Sequence, residues 1–417
     1  MVIRAIICLL LLAVGATGSS LAADVLHTEL LHPSFATLQV EIDGHPERMP
    51  VLTGEAGENL VIKFDELGDS RRNLRFSLQH CTADWKPTPG LLPSEFASGW
   101  NEGEVPQGEF SRATMTHYVH YELRVPGDGV APLLPGNYIL TVYEEGSTPE
   151  TPLLRARFGV TDHEISLSAT YSGKTDIDYL ASHQQLEITA DIQNARIQNP
   201  YTDILLVIDQ NSRPDTERRI QTPASVNGTR AIYRHGADLI FPAGNEYRRI
   251  ETVSTEFHGM GIESTGHDYE GYHAVVRTDE PRSEAGYSYD ETQYGRFTIR
   301  EYNSDRSDID ADYVETHFTL AMPRLQGAEV YVEGDLSGRR LDESSRMVYD
   351  DESQAYRWSA FLKQGAYNYQ YVALPGTNTL TVEGNYHQTR NRYNIRVYYR
   401  RPGERFDRLA GILTLEP

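Results

Sequence analysis

The sequence is poor in cysteine, in positive charge and in long apolar runs, and each shortage narrows what the chain can be. Cysteine occurs only at positions 8 and 81. Cys8 lies in the one strongly apolar stretch, 6–16, which follows Arg4 and precedes the small-residue sequence Ser20-Leu21-Ala22. That arrangement reads as a secretory signal, too short to span a bilayer and cleaved after Ala22. Cys8 lacks the Leu-Ala-Gly type of approach that marks a lipoprotein cysteine. The mature chain then keeps Cys81 alone, which excludes an internal disulfide and leaves stability to buried cores. No later segment is apolar enough for a transmembrane helix. The remaining length, close to four hundred residues, predicts about two to four domains.

Lysine and arginine total 38 against 60 aspartates and glutamates, a formal net charge of −22, or −23 without Arg4. Such a chain is repelled by nucleic acid and by anionic lipid, and neither is an expected partner. The acidity chiefly serves solubility in an exposed compartment. His-Glu-x-x-His, Cys-x-x-Cys, Gly-x-Ser-x-Gly and Walker sequences are all missing, so no catalytic, cofactor-binding or metal-binding residues are assigned.

What is abundant is tyrosine and glycine, 26 and 33 residues, a composition that suits strands and turns. Alternating apolar segments predict strands at 36–43, 59–64, 73–80, 117–125, 137–144 and 153–160. Further strands are expected at 186–192, 204–209, 247–257, 272–278, 313–321, 329–333, 356–362, 394–400 and 409–415. No long amphipathic helix is evident. The fold class is therefore all-β, in tandem immunoglobulin-like sandwiches. The units are a signal at 1–22 and β-rich domains at 23–160, 161–303 and 304–417. A polar stretch, 279–293, reads as an exposed loop. Tyr367, Tyr369 and Tyr371 recur at every second residue after the Gly365 turn, so they share one strand face. That ladder can be core or a platform for sugar rings. The last unit resembles the early-set immunoglobulin-like domains that often flank carbohydrate-active enzymes.

Candidate chemistry is sparse. His80 and Cys81 are neighbours on a strand and point to opposite faces, so they cannot form a nucleophile–base pair. Asp84 reads as a turn cap and Trp85 as a lid on the core. His117 and His120 also face opposite sides, which suits network histidines better than metal ligands. Asp308-x-Asp310-x-Asp312 begins like a calcium loop, without its turn glycine and distal glutamate. The whole run from Asp305 to Asp312 reads as a solvated linker. The excursion 82–113 carries two of the three tryptophans. Long ordered loops on β scaffolds often bind partners. Trp85, Glu95, Phe96 and Trp100 are its candidate partner-contacting residues.

Ordered motifs cover nearly the whole mature chain. His80-Cys81-x-x-Asp84-Trp85, Ser94-Glu95-Phe96-x-x-Gly99, Ser111, His120-Tyr121 and Pro135-Gly136-Asn137-Tyr138 come first. Phe241-Pro242-Ala243-Gly244-Asn245-Glu246-Tyr247-Arg248 follows, then Leu362-Lys363-Gln364-Gly365, Asn368-Tyr369, Glu383-Gly384, Asn391-x-Tyr393, Val397-Tyr398-Tyr399-Arg400 and Asp407-Arg408-Leu409-x-Gly411. This set resembles the plug protein family of the type IX secretion system. Phe96, Ala113 and Ala366 depart from it, standing where tyrosine, asparagine and an aromatic are usual. The resemblance implies a non-enzymatic periplasmic protein, peripheral to the outer membrane, that caps a wide translocon barrel when it is idle. It implies no cofactor, no small-molecule substrate and no stable membrane insertion. A carbohydrate-binding envelope protein is the alternative. Against it, Gly334-Asp335-Leu336-Ser337-Gly338-Arg339 lacks the tryptophan that sugar-binding early-set modules carry. A secreted hydrolase with an unrecognised carboxylate pair is a third reading.

Overall fold

The structure, a computed structural model, describes residues 25–269, 271–375 and 381–417; the expected signal segment lies outside them. Short strands and turns build three sandwiches, and the all-β expectation holds. In the first sandwich, one sheet runs in the order Glu29–Leu30, Leu154–Val160, Gly136–Glu144, Leu74–Cys81 and Glu102–Glu104. Val51–Leu52 adds in parallel to Leu154–Val160. The facing sheet is Phe35–Ile42, Leu60–Leu67, Tyr118–Val125 and Glu109–Phe110. Leu74, Phe76 and Leu78 point between the sheets, as their alternation requires, and pack with Phe64, Tyr121, Tyr138 and Phe158.

The second sandwich places Ser166–Ser172, His183–Asp191, Arg230–Tyr233 and Ser225–Asn227 opposite Arg218–Ile220, Ile204–Gln210, Tyr393–Tyr399 and Arg408–Leu415. In the third, Ile262–His267, Tyr272–Val276, Tyr313–Ala321, Ala355–Lys363 and Val348–Asp350 form one sheet. Gly365–Leu374 carries Arg248–Glu251, Phe297–Ile299 and Glu329–Glu333 in the other.

Strand pairing does not follow the division expected at 303/304. Tyr393–Tyr399 and Arg408–Leu415 complete the second sandwich through Ile204–Gln210. Arg248–Glu251 and Tyr272–Val276 belong to the third, through Gly365–Leu374 and Tyr313–Ala321. The chain leaves the second sandwich, builds the third and returns. Periodicity reveals the faces of a strand and not its partner, so this interleaving was invisible in sequence.

The tyrosine ladder is core. Tyr367, Tyr369 and Tyr371 are 2 %, 2 % and 0 % exposed and pack with Phe318 and Val332. The hydroxyls of Tyr369 and Tyr371 each donate to Asp279 at 2.7 Å. Rings so enclosed cannot stack on a sugar. Among the described residues no helix is long and apolar enough to cross a membrane, which says nothing of strands.

Candidate functional site

The motif residues do not converge on a pocket. They gather where the sandwiches meet. The Leu-Lys-Gln-Gly turn sends Lys363 from the third sandwich into the first. Its Nζ lies 2.5 Å from Asp65 Oδ2, donates to the Asp308 carbonyl at 2.6 Å and sits 4.1 Å from the centre of the Tyr118 ring. Asp65 also accepts from the Tyr313 hydroxyl and from His120 Nδ1, both at 2.7 Å. Both ions are 1 % exposed. Burial alone would push the Asp65 carboxyl up, but Lys363 and His120 hold it below the usual carboxylate range. The next residue, Gln364, accepts the backbone N–H of Asp312.

That contact revises the reading of the acidic run. Residues 305–312 are not a solvated linker; they fold onto the first sandwich through the short helix Ser307–Asp310. Asp310 takes two hydrogen bonds from Arg112, each 2.9 Å. Asp312 accepts from the backbone N–H groups of Met115, Thr116 and Tyr313. Arginine and backbone donors use up these carboxylates. No group of three or more potential metal ligands occurs among the described residues.

The first and second sandwiches meet at the His-Cys-x-x-Asp-Trp and Pro-Gly-Asn-Tyr motifs. The Tyr398 hydroxyl donates to Asn137 at 2.8 Å, and the Ala83 N–H to Asp407 at 3.0 Å. Asp84, expected as a turn cap, instead pairs with Arg219 at 2.7 Å. Val51, Ala83, Val207, Tyr398 and Leu409 form a small apolar cluster across the joint. His80 is buried against Tyr138 and Phe406, with Nδ1 at 2.8 Å from the Thr88 hydroxyl. Burial lowers its pKa to about 4, so the ring is neutral at pH 7. Cys81 faces the other way, against Trp85 and Ile139, and burial raises its thiol to about 12. The Tyr138 hydroxyl ties back to the Leu134 carbonyl at 2.9 Å, a tyrosine corner of the kind found in sandwich domains.

The second and third sandwiches are joined by 241–248. Asn245 donates to the Glu383 carbonyl at 2.8 Å, and the Tyr247 hydroxyl to Glu333 at 2.9 Å. Arg248 bridges Glu383 at 3.0 Å and Asp279 at 2.6 Å. Arg282 also reaches Glu383, at 2.6 Å. The stretch 279–293, expected as an exposed loop, is thus tied down at its start by Asp279 and Arg282.

The four predicted contact residues have separate fates. Trp85 and Phe96 belong to the interior, Trp85 under the Arg157 guanidinium at 4.5 Å from its ring centre. Neither can reach a partner without unfolding its surroundings. Glu95 caps the helix Pro93–Phe96 through the Leu92 N–H and pairs with Arg405 at 2.5 Å. Trp100 alone presents its ring to solvent, at 93 % exposed.

One chemical arrangement escaped sequence reasoning because three strands and the turn after Ile262–His267 build it. Ser359 Oγ lies 2.8 Å from His317 Nδ1, and His317 Nε2 lies 3.4 Å from His273 Nδ1. His273 Nε2 is 3.2 Å from Asp268. The order superficially resembles a serine–histidine–acid relay, but two histidines intervene and their rings are stacked, 6° from parallel. The cavity beside His273 holds about 10 Å³, room for roughly one water. Ser359 itself is exposed on the outer face of the third sandwich, with no enclosure for a substrate.

A family model described as Type 9 secretion system plug protein 1st domain matches residues 35–162. A crystal structure of a hypothetical protein from Parabacteroides merdae is similar throughout. It has 37 % identity and a TM-score of 0.91, over 94 % of this chain and 99 % of that one. The chain belongs to the type IX secretion plug family. No curated protein matches it in sequence. The plug-family model covers the first sandwich, whose edge carries Trp100 and whose inner rim receives Lys363 and Tyr398 from the other two.

Proposed function

We propose that this plug-family chain is a non-enzymatic periplasmic cap that docks on the type IX secretion translocon and closes its periplasmic opening when idle. A many-stranded barrel is too wide for its own side chains to fill, so an idle pore needs an external body to close it. A cap must be stiff, large and removable. One observation carries the reading: the family's motifs form buried joints, which weld three sandwiches into one body. The ion pair of Lys363 with Asp65 and the Arg248–Glu383–Arg282 cluster are built for rigidity. The carbohydrate alternative, which rests on the early-set resemblance, loses the tyrosine ladder as a stacking platform because the ladder is core.

A deletion strain tests this. Loss of the protein is expected to admit a large hydrophilic antibiotic through the outer membrane while secretion by the system continues. Unchanged permeability, with a growth defect only on polysaccharide, would overturn the cap and favour the sugar-binding reading.

A further inference from the structure

Trp100 sits in a strained turn. Gly99, Trp100 and Asn101 have φ of 66°, 63° and 53°, three left-handed residues in a row. Only glycine adopts that region freely, and a bulky aromatic rarely does. The turn is nevertheless fixed on both sides. Asn101 Nδ2 donates to the Leu78 carbonyl at 2.8 Å, and the Ser98 N–H donates to the Ala131 carbonyl at 2.9 Å. A Cβ on Gly99 would stand 2.5 Å from the Gly129 carbonyl oxygen, so the chain passes that loop at backbone contact. Strained backbone that its surroundings over-determine is a mark of binding sites. Here it carries the largest side chain of the segment, which stands in solvent a few residues from the core.

The ring is not alone. Leu92, 64 % exposed, caps the helix Pro93–Phe96, and Leu133, 54 % exposed, hydrogen-bonds through its N–H to the Phe96 carbonyl. The three side chains sit on segments stitched together at the free edge of the first sheet, beside its last strand, Glu102–Glu104. The net charge around them is negative. Glu104 and Asp128 meet at this edge through the Glu104 N–H, and the two nearby cations are already engaged, Arg75 by Glu102 at 3.6 Å and Arg405 by Glu95 at 2.5 Å.

We propose that Trp100 is the docking anchor of this protein, inserting with Leu92 and Leu133 into an apolar pocket ringed by arginine or lysine on a protein partner. The inference rests on the cap reading, which supplies that partner as the periplasmic rim of the translocon. The acidic border is what selects a basic protein rim over a membrane leaflet, since anionic lipid headgroups would repel it. Tryptophan is among the residues enriched at interface hot spots, which sit in fully desolvated pockets.

The test uses the full mature chain and detergent-purified translocon, with affinity measured by biolayer interferometry. Trp100→Gly removes the ring while placing glycine where the backbone is left-handed, so the turn is kept. The expected result is binding weakened by about 30-fold or more, with a thermal midpoint no lower than that of the wild type. Leu92→Ser with Leu133→Ser is a second variant, expected to weaken binding without changing the turn. Wild-type binding that survives both variants within about threefold overturns the anchor and leaves the cap reading standing. A wild-type protein that does not bind the translocon overturns both. Acrylamide quenching of Trp100 relieved equally by phosphatidylethanolamine vesicles and by translocon overturns the protein-pocket assignment in favour of lipid.

Discussion

Replacing Lys363 by methionine should destabilise the protein more than any surface change, and the structure gives the size. The methionine side chain would keep most of the aliphatic stem but leave Asp65 as a carboxylate at 1 % exposure without its counter-ion. Removing one partner of a buried pair costs about 3–5 kcal/mol. Asp65 keeps two donors, Tyr313 and His120, which places the loss near the low end, about 3 kcal/mol. Asp65→Leu should cost a similar amount by stranding the ammonium. The double variant should cost less than either, about 1–2 kcal/mol, because no ion is then buried alone and the Tyr313 hydroxyl keeps Thr37 at 2.6 Å. Urea unfolding of all four proteins gives the coupling energy directly. Costs for the single variants that add in the double variant, or a Lys363→Met loss under about 1 kcal/mol, would refute the view that this pair locks the first sandwich to the third.

Three further outcomes follow from buried groups. His80 has a folded pKa of about 4, below its unfolded value of 6.5. Its contribution is therefore complete above pH 6.5 and lost as pH falls from there toward 4, amounting to about 3 kcal/mol. Its ring resonances should stay constant from pH 8 to 5, and a midpoint near 6.5 would contradict its burial. Gly136→Ala should cost about 1–3 kcal/mol in urea unfolding, because φ is +146° and the new Cβ would stand 2.4 Å from His80 Nε2. A variant as stable as wild type would contradict the close approach of the His80 ring to this turn. Cys81, buried and with a thiol raised to about 12, should react with a maleimide only as fast as the protein opens; rapid labelling of native protein would show an accessible thiolate.

Much of the fold was legible because its inward faces are apolar and regular. The expected strands at 73–80, 117–125 and 313–321 agree with Leu74–Cys81, Tyr118–Val125 and Tyr313–Ala321 to within a residue. Ser166–Ser172, short and rich in small polar residues, was overlooked although Leu167, Ala169 and Tyr171 alternate along it; Ile262–His267 shows little alternation at all. The strand expected at 247–257 stops at Glu251, after which Thr252 turns to bond Gly365. Which strands pair depends on contacts hundreds of residues apart, and no local pattern encodes those. The same limit applies to the joints. A lysine is ordinarily exposed, and only the fold reveals that Lys363 is buried on a carboxylate 298 positions away. Trp85 and Trp100 look alike in sequence, and both have positive φ. What separates them is the tertiary setting: Trp85 has the Cys81 and Ile139 side chains and the Arg157 guanidinium to lie against, and Trp100 has solvent.

The central claim is that this welded body closes a pore. Purified translocon in a planar lipid bilayer, with the mature protein added to the periplasmic side, tests it most directly. The account predicts a large open conductance that falls in discrete, reversible steps on addition and recovers on washout. Conductance unaffected by saturating protein would contradict it.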